Sequence, residues 1–286
     1  MQPVVTAFFD QATFTVSYLV AHMASRRAAV IDPVLDFDQK SGRASTKSAE
    51  RILAAAKSAD LTIDWILETH AHADHLSAAA FLNERTGAKV AVGEHITTIQ
   101  KTFGPIFNAA DVTGDGQPFD RLLKNGEKIA LGGLHIEVLF TPGHTPACVS
   151  YCIGNNVFVG DTLFMPDYGT ARTDFPGGDA RMLYRSIRKL LALPPDTVLW
   201  MCHDYGTAHR KTFVWKTTVA EQRAKNIHIR DGVDEEAFVA MRVARDKTLE
   251  MPALILPAVQ VNIRAGHMPP AESDGNVYLK LPVNRI

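Results

Sequence analysis

Three imidazoles and one carboxylate fall within the six residues His70-Ala71-His72-Ala73-Asp74-His75. Before them, Ile63 to Glu68 is a short apolar run of strand type. After them, Leu76 to Arg85 has helical spacing and ends near Gly87. The cluster therefore sits in a loop that leaves a buried strand. Alternate residues of such a loop point into one space, so His70 and His72 can share a cation, while Asp74 and His75 lie further round the bend. Imidazole and carboxylate are the donors that zinc and iron accept. A polar loop that merely caps the next helix has no need of four ligand-type side chains.

Three further segments present the same chemistry in the same context. A strand over His135 to Phe140 ends at Thr141-Pro142-Gly143-His144-Thr145, where the Pro-Gly pair turns the chain and presents His144. Gly160-Asp161-Thr162 follows a strand over Asn156 to Val159, and Cys202-His203-Asp204-Tyr205 follows one over Thr197 to Met201. Each alone is weak, because a single histidine is more often a hydrogen-bonded structural residue. One per strand end, in loops of the kind that carry sites, is a pattern. Asp32, at the end of a strand over Ala28 to Val34 that stops at Asp32-Pro33, either holds a ligating histidine in one tautomer or forms a turn.

Strands are also expected over Phe14 to Val20, Lys89 to Val92, Lys128 to Leu131 and Val149 to Ile153, with a hairpin turn at Gly154-Asn155. Helices are expected over Lys47 to Ala59, Asp179 to Leu193, Lys216 to Asn226 and Glu235 to Asp246. A strand is expected over Val277 to Leu281. Strands in two batches with interspersed helices predict two mixed β-sheets stacked face to face with outer helices, an αββα sandwich. At 286 residues the chain is read as one domain, 1–286, with a helical and strand extension from about 216.

A formal net charge of -1 argues against a nucleic-acid surface, and no apolar run approaches the length of a membrane span. Cys148, Cys152 and Cys202 form no pair framework, which fits a reducing compartment, and Met1-Gln2-Pro3-Val4 opens no secretory signal. A cytoplasmic protein is expected. None of the cysteines has ligand spacing, which argues against a closed, non-catalytic metal site.

In order, H-x-H-x-D-H, T-P-G-H-T, G-D-T and C-H-D-Y resemble the motifs of the metallo-β-lactamase superfamily, over nearly the whole chain. The resemblance implies the αββα sandwich with a metal at the sheet edges. Within the superfamily the chain is most similar to persulfide dioxygenases in three stretches. One is Gly160 to Phe175 (GDTLFMPDYGTARTDF). Another is His203-Asp204-Tyr205 with Glu221-Gln222-Arg223 and Asn226. The third is the tail, with Val261-Asn262-Ile263-Arg264-Ala265-Gly266 and Tyr278-Leu279-Lys280-Leu281-Pro282. The stretch from Asp161 to Arg172 looks slightly longer than in mitochondrial-type members and resembles a bacterial subgroup called β-lactamase-like hydrolases.

That likeness implies one Fe(II) per chain on His70, His144 and Asp161, with glutathione persulfide and O2 as substrates and sulfite and glutathione as products. His72, Asp74, His75 and His203 would then orient ligands and waters. It also implies that Tyr205 contacts glutathione and that a homodimer is possible. A dinuclear-zinc thioester hydrolase like glyoxalase II is the alternative, because the same seven residues match its ligand positions. Arg172 is expected either to hold a substrate carboxylate or to order the site through Asp174.

Overall fold

The computed structural model describes residues 2–285; Met1, read above as part of the N-terminal stretch, lies outside them. In chain order the first part forms β1 (Val4–Asp10), β2 (Thr15–His22), β3 (Arg27–Ile31), β4 (Val34–Asp38), β5 (Arg43–Ser45), α1 (Lys47–Ser58), β6 (Thr62–Leu67), β7 (Leu76–Ser77), α2 (Ala79–Thr86), β8 (Lys89–Gly93), α3 (Ile96–Ile106) and β9 (Arg121–Leu123). The second part forms β10 (Lys128–Leu131), β11 (Leu134–Phe140), β12 (Val149–Ile153), β13 (Asn156–Phe158), α4 (Ala180–Leu191), β14 (Val198–Trp200), β15 (Lys216–Thr218), α5 (Val219–Lys225), α6 (Glu235–Asp246) and α7 (Ile255–Asn262).

Two six-stranded sheets result, β1-β2-β3-β6-β8-β9 and β10-β11-β12-β13-β14-β15. The period-2 alternation of strand side chains assigns each residue to a layer. In β2, Val16, Tyr18 and Val20 face the second sheet, where they meet Ile136, Val138 and Tyr151. Leu19 and Ala21 face outward onto a layer with Ile52 of α1, Leu82 of α2, Phe103 of α3 and Val259 of α7. Val157 and Leu199 of the second sheet pack outward on Leu183 and Ile187 of α4 and Phe238 of α6. The architecture is the αββα sandwich, with mixed sheets: β3, β6, β8 and β9 run parallel, as do β13 and β14. Each large apolar side chain buried in these layers contributes about 1.5–3 kcal/mol.

The helices begin where short polar side chains take up free N–H groups. Asp179 accepts from Met182 N at 2.7 Å ahead of α4, and Asp234 accepts from Ala237 N at 2.8 Å ahead of α6. Two buried tyrosines pin the layers near the strand ends. Tyr18 Oη donates to Met201 O at 2.5 Å and Tyr151 Oη to Glu68 O at 2.8 Å. These carbonyls lie two residues before His203 and two before His70.

Three expectations are corrected. Leu76-Ser77 is not helical; it pairs with Leu35 and Val34 of β4, and the helix starts at Ala79. Lys216–Thr218 forms an edge strand on β14, and Thr218 then caps α5 by accepting from Glu221 N at 3.2 Å. Val277 to Leu281 is not a strand. Its one backbone anchor of this kind is a side chain, with Lys280 N and O both bonded to the Gln260 carboxamide at 2.9 Å. The elements β1, β4, β5, α3, β9 and α7 were not anticipated. No helix among the described residues is long and apolar enough to cross a membrane.

The segment from 216 onward shares both outer layers, through Val219, Ile229 and Phe238 on one face and Ile255, Val259 and Ile263 on the other. Fully buried Arg242 of α6 pairs with Asp246 at 2.7 Å and donates to Thr170 O at 3.1 Å. His228 accepts from Thr170 N at 3.1 Å through Nδ1, which requires a neutral ring. Burial, with the charges of Arg242 and Arg245 adding and Asp246 opposing, pushes its imidazole down to about 4 from 6.5. The unfolded chain therefore binds the proton first on acidification. Stability from this group is complete above pH 6.5 and is lost as pH falls toward 4, by about 2 kcal/mol once solvent access is allowed for. Urea unfolding at pH 7.5 and 4.5 is expected to show a smaller acid loss in His228→Asn, which keeps the acceptor without the titration; equal losses would contradict this.

Candidate metal centre

The carboxyl ends of β3, β6, β11, β13 and β14 meet at one edge of the sandwich, and Asp32, His70, His144, Asp161 and His203 lie in the segments that follow them. Gly160 makes the approach of Asp161 possible. Its φ is 53°, and a Cβ there would lie 2.7 Å from Thr69 Cβ. The donor atoms of His70, His144 and Asp161 all lie within 4.8 Å of one another. So, separately, do those of His72, Asp74 and His75. His203 Nε2 stands 3.3 Å from Asp161 Oδ1 and 3.4 Å from Asp74 Oδ2.

The tautomers of the first trio follow from what lies behind each ring. Thr69 Oγ1 gives its one hydrogen to Asp32 Oδ2 at 2.9 Å and so accepts from His70 Nδ1 at 3.0 Å. His144 Nδ1 donates to the carbonyl of Arg172 at 2.8 Å. Both Nε2 atoms are therefore lone pairs. Burial pushes the His70 imidazole well below its ordinary value, and the charges of His72 and His144 add to this. His72 differs. Burial alone would lower it, but Asp32 at 3.0 Å and Glu68 at 3.3 Å from its Nε2 outweigh that and hold it well above the ordinary value.

Buried polar atoms almost always find a hydrogen-bond partner. Here His70 Nε2, His72 Nδ1, His75 Nε2, His203 Nε2 and Asp161 Oδ1 have none among the described residues. The bare Nε2 lone pairs of His70 and His144 and the Asp161 carboxylate, gathered in one buried space, repel each other unless a cation lies between them. The donor set fits a metal of the zinc or iron class.

Asp32 organises this cluster from behind, which resolves the sequence alternative between turn former and histidine partner. Its φ of 49° starts the Asp-Pro bend, and its carboxylate accepts from Thr69 N at 2.7 Å, Thr69 Oγ1 at 2.9 Å and His72 Nε2 at 3.0 Å. Asp32→Asn would turn an N–H toward these donors. Loss of such a partner typically costs about 10–100-fold in metal affinity. Chelator competition is expected to read a loss in that range, and a change under about threefold would contradict the role.

A cavity of about 380 Å³ opens beside the trio and is lined by His144, Asp161 and Asp74. Phe14, Phe164, Tyr168, Tyr205, Leu249 and Leu254 make an aromatic and aliphatic wall. Tyr205 lies in this wall, its ring stacked on His203 at 5.5 Å between centroids and tilted on Tyr168 at 5.2 Å. Arg172 also lines the cavity. It forks onto Asp174 at 2.6 Å and donates to Glu250 O at 2.6 Å, which straps the wall carrying Leu249 and Leu254. These bonds fit the sequence reading in which Arg172 orders the site through Asp174. Arg245, not singled out from the sequence, lines the same cavity with no ion-pair partner among the described residues.

The sequence profile of the metallo-beta-lactamase superfamily matches residues 11–203. The chain belongs to this superfamily. It is 53% identical to a "probable metallo-hydrolase" of Burkholderia pseudomallei, with 99% of each chain covered. It is 46% identical to "glyoxylase B2" of Dictyostelium discoideum, over 99% of this chain and 97% of that one. To the human mitochondrial "persulfide dioxygenase ETHE1" identity is 29%, over 92% and 88%. The crystal structure of ETHE1 from Myxococcus xanthus superposes with a TM-score of 0.74 at 32% identity, over 92% of this chain and all of that one. The chain spans 65% of the length of the beta-lactamase hydrolase-like protein of Xylella fastidiosa, to which it is 49% identical.

Proposed function

We propose that this superfamily member is a persulfide dioxygenase, oxidising glutathione persulfide with O2 to sulfite and glutathione at one Fe(II) on His70, His144 and Asp161. The supporting observation is the donor set beside the cavity. Two imidazoles and one carboxylate converge. Ferrous iron held by these three residues would supply the redox chemistry that joins dioxygen to a sulfur substrate. The likeness to the Myxococcus structure and to the human dioxygenase supports the same reading.

The chain's own groups supply binding and proton handling. The aromatic wall seats the aliphatic part of the thiol and keeps bulk water from the trio. Arg245 is free to pair with a carboxylate of the peptide, and Tyr205 offers its phenol to the amide portion. One persulfide, one O2 and one water become one sulfite, one thiol and two protons. Asp74 and His203, beside Asp161, are placed to take those protons.

A dinuclear thioester hydrolase is the second reading. Its specific support is the pair of unpartnered Nε2 atoms on His75 and His203 near Asp74 and Asp161, together with the likeness to glyoxylase B2. Metal analysis of protein purified without added metal, in wild type and His203→Ala, separates the two. The dioxygenase reading predicts about one iron per chain in both. Loss of one of two metals on substitution would give the case to the hydrolase.

A further inference from the structure

His75 and His203 lie in the loops after β6 and β14, and both rings are fully buried. A single hydroxyl lies behind them. Thr15, the first residue of β2 and itself 0% exposed, places Oγ1 3.3 Å from His75 Nδ1 and 3.4 Å from His203 Nδ1. Backbone contacts fix it there: Val16 N donates to Cys202 O at 2.7 Å, Asp204 N donates to Phe14 O at 3.1 Å, and Thr15 bridges His203.

A threonine hydroxyl has one hydrogen and two lone pairs. Thr15 Oγ1 donates that hydrogen to Asp74 Oδ2 at 3.3 Å. Thr13 Oγ1, 2.9 Å away, gives its own single hydrogen to Asp10 Oδ2 at 2.7 Å and so leaves the Thr15 lone pairs open. Both lone pairs are then left for the two imidazoles, and each imidazole must bring the hydrogen. For His75 the neighbouring Asp74 Oδ1, 3.5 Å from Nδ1, asks for the same tautomer. Consistently, the opposite nitrogens, His75 Nε2 and His203 Nε2, are the two that have no hydrogen-bond partner.

We propose that Thr15 is a positioning residue: its hydroxyl accepts Nδ1–H from both His75 and His203, fixing the two rings in one tautomer and leaving both Nε2 atoms as lone pairs, that of His203 3.3 Å from Asp161 Oδ1. The assignment holds for a persulfide and for a thioester substrate alike, because it concerns the rings and not the reaction. Without the hydroxyl either ring can move its hydrogen to Nε2. Each would then carry a donor at the nitrogen that is a lone pair in the wild type.

The test is long-range proton–nitrogen NMR on full-length protein labelled with ¹⁵N-histidine and loaded with one zinc per chain. Wild type and Thr15→Ser are expected to carry the hydrogen of His75 and His203 on Nδ1 and none on Nε2. In Thr15→Val, which keeps the shape and removes the hydroxyl, at least one ring moves its hydrogen to Nε2. In the same variant kcat falls about 10–100-fold with KM little changed, and serine restores it. An Nε2–H signal on either ring in wild type would overturn the proposal, as would a Thr15→Val spectrum identical to wild type. Should valine not fold, the wild-type and serine spectra still decide.

Discussion

Asp161→Ala strips the protein of its metal and its turnover together. Asp161 is the one carboxylate in the trio, and its Oδ1 is among the buried atoms without a hydrogen-bond partner among the described residues. No neighbour can replace it. Asp32 and Glu68 stand behind the cluster and are committed to His72, and Asp74 faces His75, His203 and Thr15. Losing a group that merely orients a ligand costs about 10–100-fold, so losing the carboxylate itself exceeds the upper end of that range. Elemental analysis together with steady-state rates checks this. Full metal occupancy in the variant would contradict it.

Asn262→Leu is expected to lower folding stability by roughly 3–6 kcal/mol, a large share of the ~5–15 kcal/mol that holds a typical domain together. Asn262 ends α7, yet its carboxamide is the lock on the histidine loop. Nδ2 donates to His72 O and His75 O, both at 2.8 Å, and Oδ1 accepts from Ser77 N at 2.8 Å. Leucine has similar size and leaves all three buried backbone groups without partners, at about 1–3 kcal/mol each before relaxation. Asn262→Asp is expected to fare little better despite its near-identical shape, because two carbonyls would face a carboxylate. Urea unfolding of both variants checks this, and a loss under about 1 kcal/mol in either would contradict the lock.

These two residues mark what sequence reading reaches and what it does not. Asp161 is visible because a Gly-Asp pair after an apolar strand repeats the context of His70, His144 and His203, and loops at strand ends are where donors gather. Asn262 has no such local signature. Its partners lie 185 to 190 residues away, so the resembling stretch Val261-Asn262-Ile263 does not say what the side chain holds. Thr15 is hidden for the same reason, since its hydroxyl reaches His203 across 188 positions.

Arg172 shows the converse. Its place near the cavity follows from the motif, but its bond to Glu250 O depends on the fold of the tail. Strands with both faces buried, such as β2, were legible from composition. The edge strands β1 and β15 and the amphipathic α3 were not, because half-exposed elements with mixed residues carry weaker periodicity.

His70, His144 and Asp161 are proposed to serve oxygen chemistry on a sulfur substrate. Oxygen-electrode traces of iron-loaded protein given glutathione persulfide test it most directly. The account predicts uptake of one O2 per persulfide with sulfite appearing in step. No uptake, alongside brisk hydrolysis of S-lactoylglutathione by the zinc form, would contradict it.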